Sequence, residues 1–174
     1  MSSIALSEKK RGHEVRILTS DAHSSDDYLD WRAKRLKTGW AQWRGMLLFR
    51  AKTWRWPKQL IRRITGPVFL WLPVFWLYRW RPKKIVAGVF PTIIPVYAWL
   101  LAKITRAKLV LVPCFHYADK SFYRSWLTFV LRRADKILAL TNFEKSFYQK
   151  KLGIDEKRIT IFRPKISSSF LLKG

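Results

Sequence analysis

The chain has 174 residues, 49% of them hydrophobic, so it is long enough to bury the core of one domain. It has 35 Lys and Arg against 11 Asp and Glu, a net charge of +24, and between Trp31 and Ala118 it has 18 basic residues and no acidic one. One cysteine, Cys114, excludes an internal disulfide, and three scattered histidines are too few for a zinc site, so we predict no bound metal.

The N-terminal residues predict a helix followed by a strand. Residues 4–11 have the pattern of the last turns of an amphipathic helix, and Gly12 is the expected stop because glycine enters the left-handed region without steric cost. The alternation over 13–19 then predicts a strand, and residues 20–30 form an acidic, serine-rich loop. The first 14 residues lack the apolar core of a signal peptide.

Basic and aromatic residues interleave between residues 31 and 82, where we predict a helical insert broken near Gly39 and at Pro57. Two interpretations stay open. The aromatic side chains could form the core face of these helices, or the segment could bind an anionic membrane surface, with indoles at the headgroup level and cations on phosphates. The candidate membrane-surface residues are Trp40, Trp43, Arg44, Arg50, Lys52, Trp54, Arg55, Trp56, Lys58, Arg62 and Arg63.

Two stretches, 64–78 and 85–102, contain no charged residue. The second reaches the lower length limit for a membrane-spanning helix, but both contain glycine and proline. We interpret the second as a strand at 84–87, a loop, and a buried helix at 92–105. A transmembrane hairpin is the alternative, because such helices tolerate proline.

The rest of the chain alternates strands with helices. Residues 108–112 predict a strand, with Pro113, Cys114 and His116 after its carboxyl end, and 121–133 predict a helix. Next come a strand at 136–140, a helix, and a strand at 159–162.

The helix after residue 140 has clear end signals. Thr141 or Asn142 is its N-cap, Glu144 stands where a capping-box acid belongs, and Gly153 is the stop. Its core face should contain Phe143, Phe147 and Leu152. A strand–helix–strand unit of this length requires parallel pairing and a right-handed crossover, so the fold class is α/β.

The last stretch resembles family-4 glycosyltransferases, which have the two-domain GT-B fold. The matching residues, in order, are Ala134-Asp135-Lys136-Ile137, Thr141, Glu144-Lys145, Leu152-Gly153-Ile154, Glu156-Lys157-Arg158-Ile159 and Phe170. Residues 11–20 (RGHEVRILTS) are similar to the second strand of the same family. The ending departs from the family pattern, because Pro164-Lys165-Ile166-Ser167 replaces the usual Pro-Asn-Gly-Ile.

The resemblance implies that residues 1–174 are an incomplete N-terminal, acceptor-side Rossmann-like domain. Its first strand is expected to be missing, which would leave two half-sheets with open edges. The C-terminal domain, which binds the donor and would be an intrachain partner, is also expected to be absent. The fragment alone should then lack activity.

By the same resemblance, the enzyme moves a sugar from a nucleotide-sugar to a lipid-linked or cell-surface polysaccharide acceptor, with no cofactor. His116 is the candidate catalytic residue, and it joins Thr141 and Glu144 as candidate substrate-binding residues, because polar groups at the carboxyl ends of strands face the ligand crevice of an open α/β sheet. The expected location is cytoplasmic, peripherally on the membrane. A basic nucleic-acid-binding module and a small integral membrane protein are the alternatives, although no known nucleic-acid-binding signature is present.

Overall fold

The computed structural model describes residues 2–23, 30, 32–54, 57, 68–69, 78–88, 92–114 and 125–162. The helices within these residues are α1 (Ser2–Lys10), α2 (Ile94–Thr105), α3 (Ser125–Arg133) and α4 (Asn142–Lys150), with a short 3-10 turn at Glu156–Arg158. The strands are β1 (Arg16–Ser20), β2 (Gly39–Trp43), β3 (Met46–Ala51), β4 (Thr53–Trp54), β5 (Val68–Phe69), β6 (Lys84–Gly88), β7 (Lys108–Val112), β8 (Lys136–Ala139) and β9 (Ile159–Ile161).

The second half of the chain forms a four-stranded parallel sheet in the order β6-β7-β8-β9. Its strands are short apolar runs, as expected for parallel strands that are covered on both faces. Leu109 and Leu111 of β7 and Ile137 of β8 are almost completely buried. The side chains of α2, α3 and α4 pack with them into one core, which confirms the predicted Rossmann-like α/β class for this half.

The helices between these strands begin and end where the sequence provides signals. Pro95 lies in the first turn of α2, where its missing N–H costs nothing, and α2 ends at Arg106 in the left-handed conformation. Thr141 caps α4, and Gly153 follows that helix with φ of 64°. The strand at 108–112 has the predicted bounds, and the other strands of this sheet differ from their predicted bounds by one residue.

The first half of the chain forms a separate three-stranded sheet in the order β1-β3-β2. β1 runs parallel to β3, whereas β2 and β3 form an antiparallel hairpin. The hairpin turn consists of Arg44 and Gly45, with φ of 50° and 70°. Two residues with positive φ form the type I′ turn that matches the twist of paired strands.

Several predictions need correction. The helical insert is wrong for residues 39–54, which are strands β2 to β4, while most of 55–77 lies outside the described residues. The strand predicted at 13–19 is found at 16–20. Phe143 is 56% exposed and does not belong to the core face of α4, although Phe147 and Leu152 do.

The two sheets have no strand pairing with each other in the described part of the chain. Helix α1 links them through charged side chains. Glu8 accepts a hydrogen bond from Lys84 at the start of β6, at 2.7 Å, and Lys9 donates to the carbonyl of Arg44 in the hairpin turn, at 2.8 Å.

Candidate functional site

The polar residues predicted for the ligand crevice follow neighbouring strands of the parallel sheet. β7 ends at Val112 and leads into Pro113 and Cys114, and β8 ends at Ala139, just before Thr141. Because β7 and β8 are adjacent and parallel, their carboxyl ends lie at the same edge of the sheet. In an open α/β sheet this edge is where ligands bind.

Thr141 and Glu144 form a variant of the capping box at the start of α4, in which Glu144 bonds to the N–H of the residue before the N-cap instead of to the N-cap N–H. The Thr141 hydroxyl accepts a hydrogen bond from the backbone N–H of Glu144 at 3.1 Å, and the Glu144 carboxylate accepts one from the N–H of Leu140 at 2.5 Å. The Glu144 side chain is buried, whereas Thr141 is exposed. Of the two, Thr141 is the residue that a ligand can reach directly.

Cys114 lies half-buried at this edge with φ of 52°, a conformation that is strained for a residue with a side chain. Burial raises the pKa of its thiol, and the negative charge of Glu144 raises it further. Burial and the same carboxylate also raise the pKa of Tyr148. These raised pKa values favour the neutral forms of both groups at pH 7 and disfavour a Cys114 thiolate.

His116, the candidate catalytic residue, lies outside the described residues. The structure thus brings Cys114, Thr141 and Glu144 to one edge of the sheet without placing His116 among them. Its role at the crevice stays a prediction that follows from its position two residues after Cys114 in the sequence.

A buried polar cluster after β1 was not predicted. Asp21 is fully buried and its carboxylate accepts hydrogen bonds from the Thr53 hydroxyl at 2.5 Å and from the Arg35 guanidinium at 3.1 Å. Arg35 also donates to the carbonyl of Thr53 at 2.9 Å. Through these bonds the cluster holds the segment before β2 against β4.

The candidate membrane-surface residues that the structure describes lie on or next to the hairpin. Trp40 and Trp54 are 45% and 52% exposed, so neither is a core residue. The Trp40 ring contacts Phe49 and Trp80, with ring centroids 4.9 and 5.3 Å apart. This surface therefore combines exposed indole rings with cations.

The other members of the candidate surface differ in exposure. Trp43 and Arg50 are partly exposed, Arg44 and Lys52 are exposed, and the Arg44 guanidinium lies 5.2 Å from the centre of the Trp43 ring. The remaining candidates lie outside the described residues; they are Arg55, Trp56, Lys58, Arg62 and Arg63.

Two further sequence expectations can be compared with the described part of the chain. Within it, no helix is both long enough and apolar enough to cross a membrane. The same residues contain no group of three or more His, Cys, Asp or Glu side chains that could hold a metal ion.

A parallel sheet whose strands alternate with helices, with polar residues at its carboxyl edge, is a Rossmann-like arrangement. The chain matches the family described as glycosyl transferase 4-like domain over residues 3–165, and it belongs to that family. A search of curated proteins found no match. The resemblance that the sequence showed over roughly 4–20 and 83–170 is thus confirmed at the level of the family.

Proposed function

We propose that this chain is the acceptor-side domain of a membrane-associated glycosyltransferase. Such an enzyme would move a sugar from a nucleotide-sugar to a lipid-linked or cell-surface polysaccharide acceptor. Family membership supports the transferase class, and the resemblance supports the acceptor-side role. The observation that carries the membrane part is the surface of half-exposed Trp40 and Trp54 in a segment that has cations and no acidic residue.

The physical case for the membrane has two parts. Each basic residue near an anionic surface contributes about 1 kcal/mol, and the effect declines within a Debye length. Residues 31–81 contain 13 basic residues and no acidic one, so a few simultaneous contacts would hold the protein at the surface. Indole rings add an apolar contribution that salt does not screen, because they are stable at the headgroup boundary.

The site at the carboxyl edge of the parallel sheet is the proposed acceptor site. The exposed Thr141 hydroxyl and the predicted His116 would bind the polar part of the acceptor. Glu144 holds the start of α4 in place through its bond to Leu140, so we assign it a positioning role. No cofactor enters this scheme, and the nucleotide-sugar is a substrate.

Acceptor binding can be tested with vesicles of matched surface charge. The full 174-residue chain is mixed with vesicles that contain a polyprenyl phosphate, or with vesicles that have the same charge density from phosphatidylglycerol alone. We expect tighter binding to the first kind, and Thr141→Ala and His116→Ala should remove the difference without changing the binding to the second. Equal binding of the unmodified chain to both kinds would contradict a lipid-linked acceptor.

Activity is tested separately with a panel of nucleotide-sugars and the same polyprenyl phosphate vesicles. We expect no sugar transfer by this chain alone, because the resemblance assigns donor binding to a second domain. Transfer with substantial turnover would contradict the proposal that the chain supplies only the acceptor side.

A further inference from the structure

Helices α2 and α3 carry exposed apolar side chains that lie outside residues 31–82, the part of the chain that we call the Trp-rich segment. Leu100 and Ile104 of α2 are 43% and 56% exposed, and Phe129 of α3 is 39% exposed. Residues four positions apart in a helix lie on the same face, so Leu100 and Ile104 form one apolar stripe. The opposite face of α2, with Ala98, Leu101 and Ala102, is buried in the core.

The two helices contact each other through aromatic side chains. The Trp99 ring of α2 meets the Phe129 ring of α3 edge to face, with centroids 5.2 Å apart. The Arg133 guanidinium lies 3.4 Å from the centre of the Phe129 ring, so a cation stacks directly on this aromatic side chain. We call Leu100, Ile104, Phe129 and these neighbours the helix face.

Every charged side chain of these two helices is a cation. Lys103 lies in the last turn of α2, and Arg132 and Arg133 end α3. The nearest acid in the sequence, Asp135, accepts a hydrogen bond from the backbone N–H of Leu109 at 2.7 Å. The helix face therefore combines exposed apolar side chains with cations.

This combination identifies the chemistry of the partner. A second copy of the chain would bring the same cations together, on a molecule that already has a net charge of +24. A partner that buries Leu100 and Ile104 and also attracts cations must be apolar inside and anionic outside. The headgroup and acyl boundary of an anionic bilayer has both properties.

We propose that the helix face is a second membrane-contacting surface, in addition to the Trp-rich segment. Helix α2 has 12 residues and is too short to span a bilayer, so it would lie along the interface with Leu100 and Ile104 inserted among the lipids. This inference rests on the proposed membrane docking. It adds that the parallel-sheet half of the domain touches the lipid directly.

The chain offers a matched control for this proposal. Phe143 on α4 is 56% exposed, as Ile104 is, but it lies on another helix, outside the helix face. In a Cys114→Ser background, Leu100→Cys and Phe143→Cys are each labelled with an environment-sensitive fluorophore. We expect vesicles of phosphatidylglycerol and phosphatidylcholine to blue-shift the label at position 100 and to leave the label at 143 nearly unchanged.

A second measurement uses substitutions without a label. Leu100→Gln together with Ile104→Gln should weaken binding to the same vesicles about tenfold, because two half-exposed aliphatic side chains lose their transfer into lipid. Phe143→Gln should weaken it less than about twofold. Circular dichroism reports whether these variants fold. If the double variant does not fold, the labelled Leu100→Cys and Phe143→Cys variants show whether the helix face enters the lipid.

The outcomes separate this inference from the proposed docking. If the unmodified chain does not bind the vesicles, the proposed docking itself is wrong. If it binds while the label at position 100 stays in water, only the helix face is excluded. If the label at position 100 is shielded without vesicles as the protein concentration rises, a second copy of the chain covers the helix face. If added RNA alone shields it, RNA binds there. Either result would overturn the inference.

Discussion

The four-stranded parallel sheet and the three-stranded sheet of this chain differ in what covers them. Strand β7 has four consecutive buried residues, from Leu109 to Val112, because helices pack on both of its sides. In strand β2, partly buried residues alternate with exposed ones, and Trp40 is 45% exposed. A parallel sheet is covered on both faces, whereas an antiparallel hairpin can leave one face open. We infer that the four-stranded parallel sheet supports the fold and that the three-stranded sheet presents a surface.

The largest expected effect comes from the core of the parallel sheet. Leu111→Ala should lower the free energy of unfolding by about 2–5 kcal/mol, because it leaves a cavity among fully buried side chains. Leu47→Ala in β3 is the control, since Leu47 is 38% exposed, and we expect a loss below about 1 kcal/mol. Urea unfolding measures both, and equal losses would contradict the contrast between the two sheets.

The buried cluster after β1 should give the next largest effect. Asp21→Ala removes the acceptor for both Thr53 and Arg35, and we expect a loss of about 1–3 kcal/mol. The expected loss is not larger because Arg35 is 37% exposed, so water can take the place of Asp21 as its hydrogen-bond partner.

The control for the buried cluster is Glu14→Ala, which removes the exposed ion pair with Arg16. It should change the unfolding free energy by less than about 1 kcal/mol. If Asp21→Ala lowers the unfolding free energy no more than Glu14→Ala does, the buried cluster does not stabilise the region around the three-stranded sheet.

The capping box at the crevice edge should give a smaller effect that also separates positioning from binding. Glu144→Ala leaves the N–H of Leu140 without its acceptor, and we expect about 1–2 kcal/mol of destabilisation. Glu144→Gln keeps an acceptor oxygen and should recover most of this loss. If Glu144→Gln instead abolishes the binding of the sugar acceptor while the unfolding free energy is unchanged, Glu144 contacts that ligand through its charge.

The smallest effect concerns the link between α1 and β6, and it depends on pH. The hydrogen bond from Lys84 is the main cause that lowers the pKa of Glu8 below its usual value of 4.5. A lowered pKa in the folded state means that Glu8 stabilises the fold above the unfolded pKa. This contribution is lost as the pH falls through the folded pKa.

Unfolding measured between pH 6 and pH 3 should therefore show a contribution from this link of at most about 1 kcal/mol, which is typical of an ion pair near the surface. Glu8→Gln should remove that part of the pH dependence. An unchanged pH profile in Glu8→Gln would show that the Lys84 contact does not contribute to stability.

The sequence predicted the second half of the chain well because its signals are local. The four apolar residues from 109 to 112 identify β7, and Thr141 caps α4 as expected. Phe143 was assigned to the core by its spacing from Phe147. It lies in the first turn of α4, at a point of the helix that faces solvent.

The first half was predicted less well because its contacts are distant in sequence. Asp21 binds Arg35 and Thr53, which are 14 and 32 residues away, and no local pattern connects them. The hairpin was mistaken for helix because its turn is Arg44-Gly45 instead of the usual Asn-Gly or Asp-Gly. The sequence of β2, Gly39-Trp40-Ala41-Gln42-Trp43, has no regular alternation of apolar and polar residues that could have identified the strand.

The central claim is that the domain docks on anionic membranes, and liposome flotation tests it most directly. The chain should float with phosphatidylglycerol vesicles, much less with neutral phosphatidylcholine vesicles, and should keep part of its binding at high salt, because the indole contribution is not screened. Replacing Trp40, Trp43, Trp54 and Trp56 with Ala should remove that residual binding. A chain that ignores anionic vesicles yet binds RNA tightly would contradict the account and favour nucleic-acid binding.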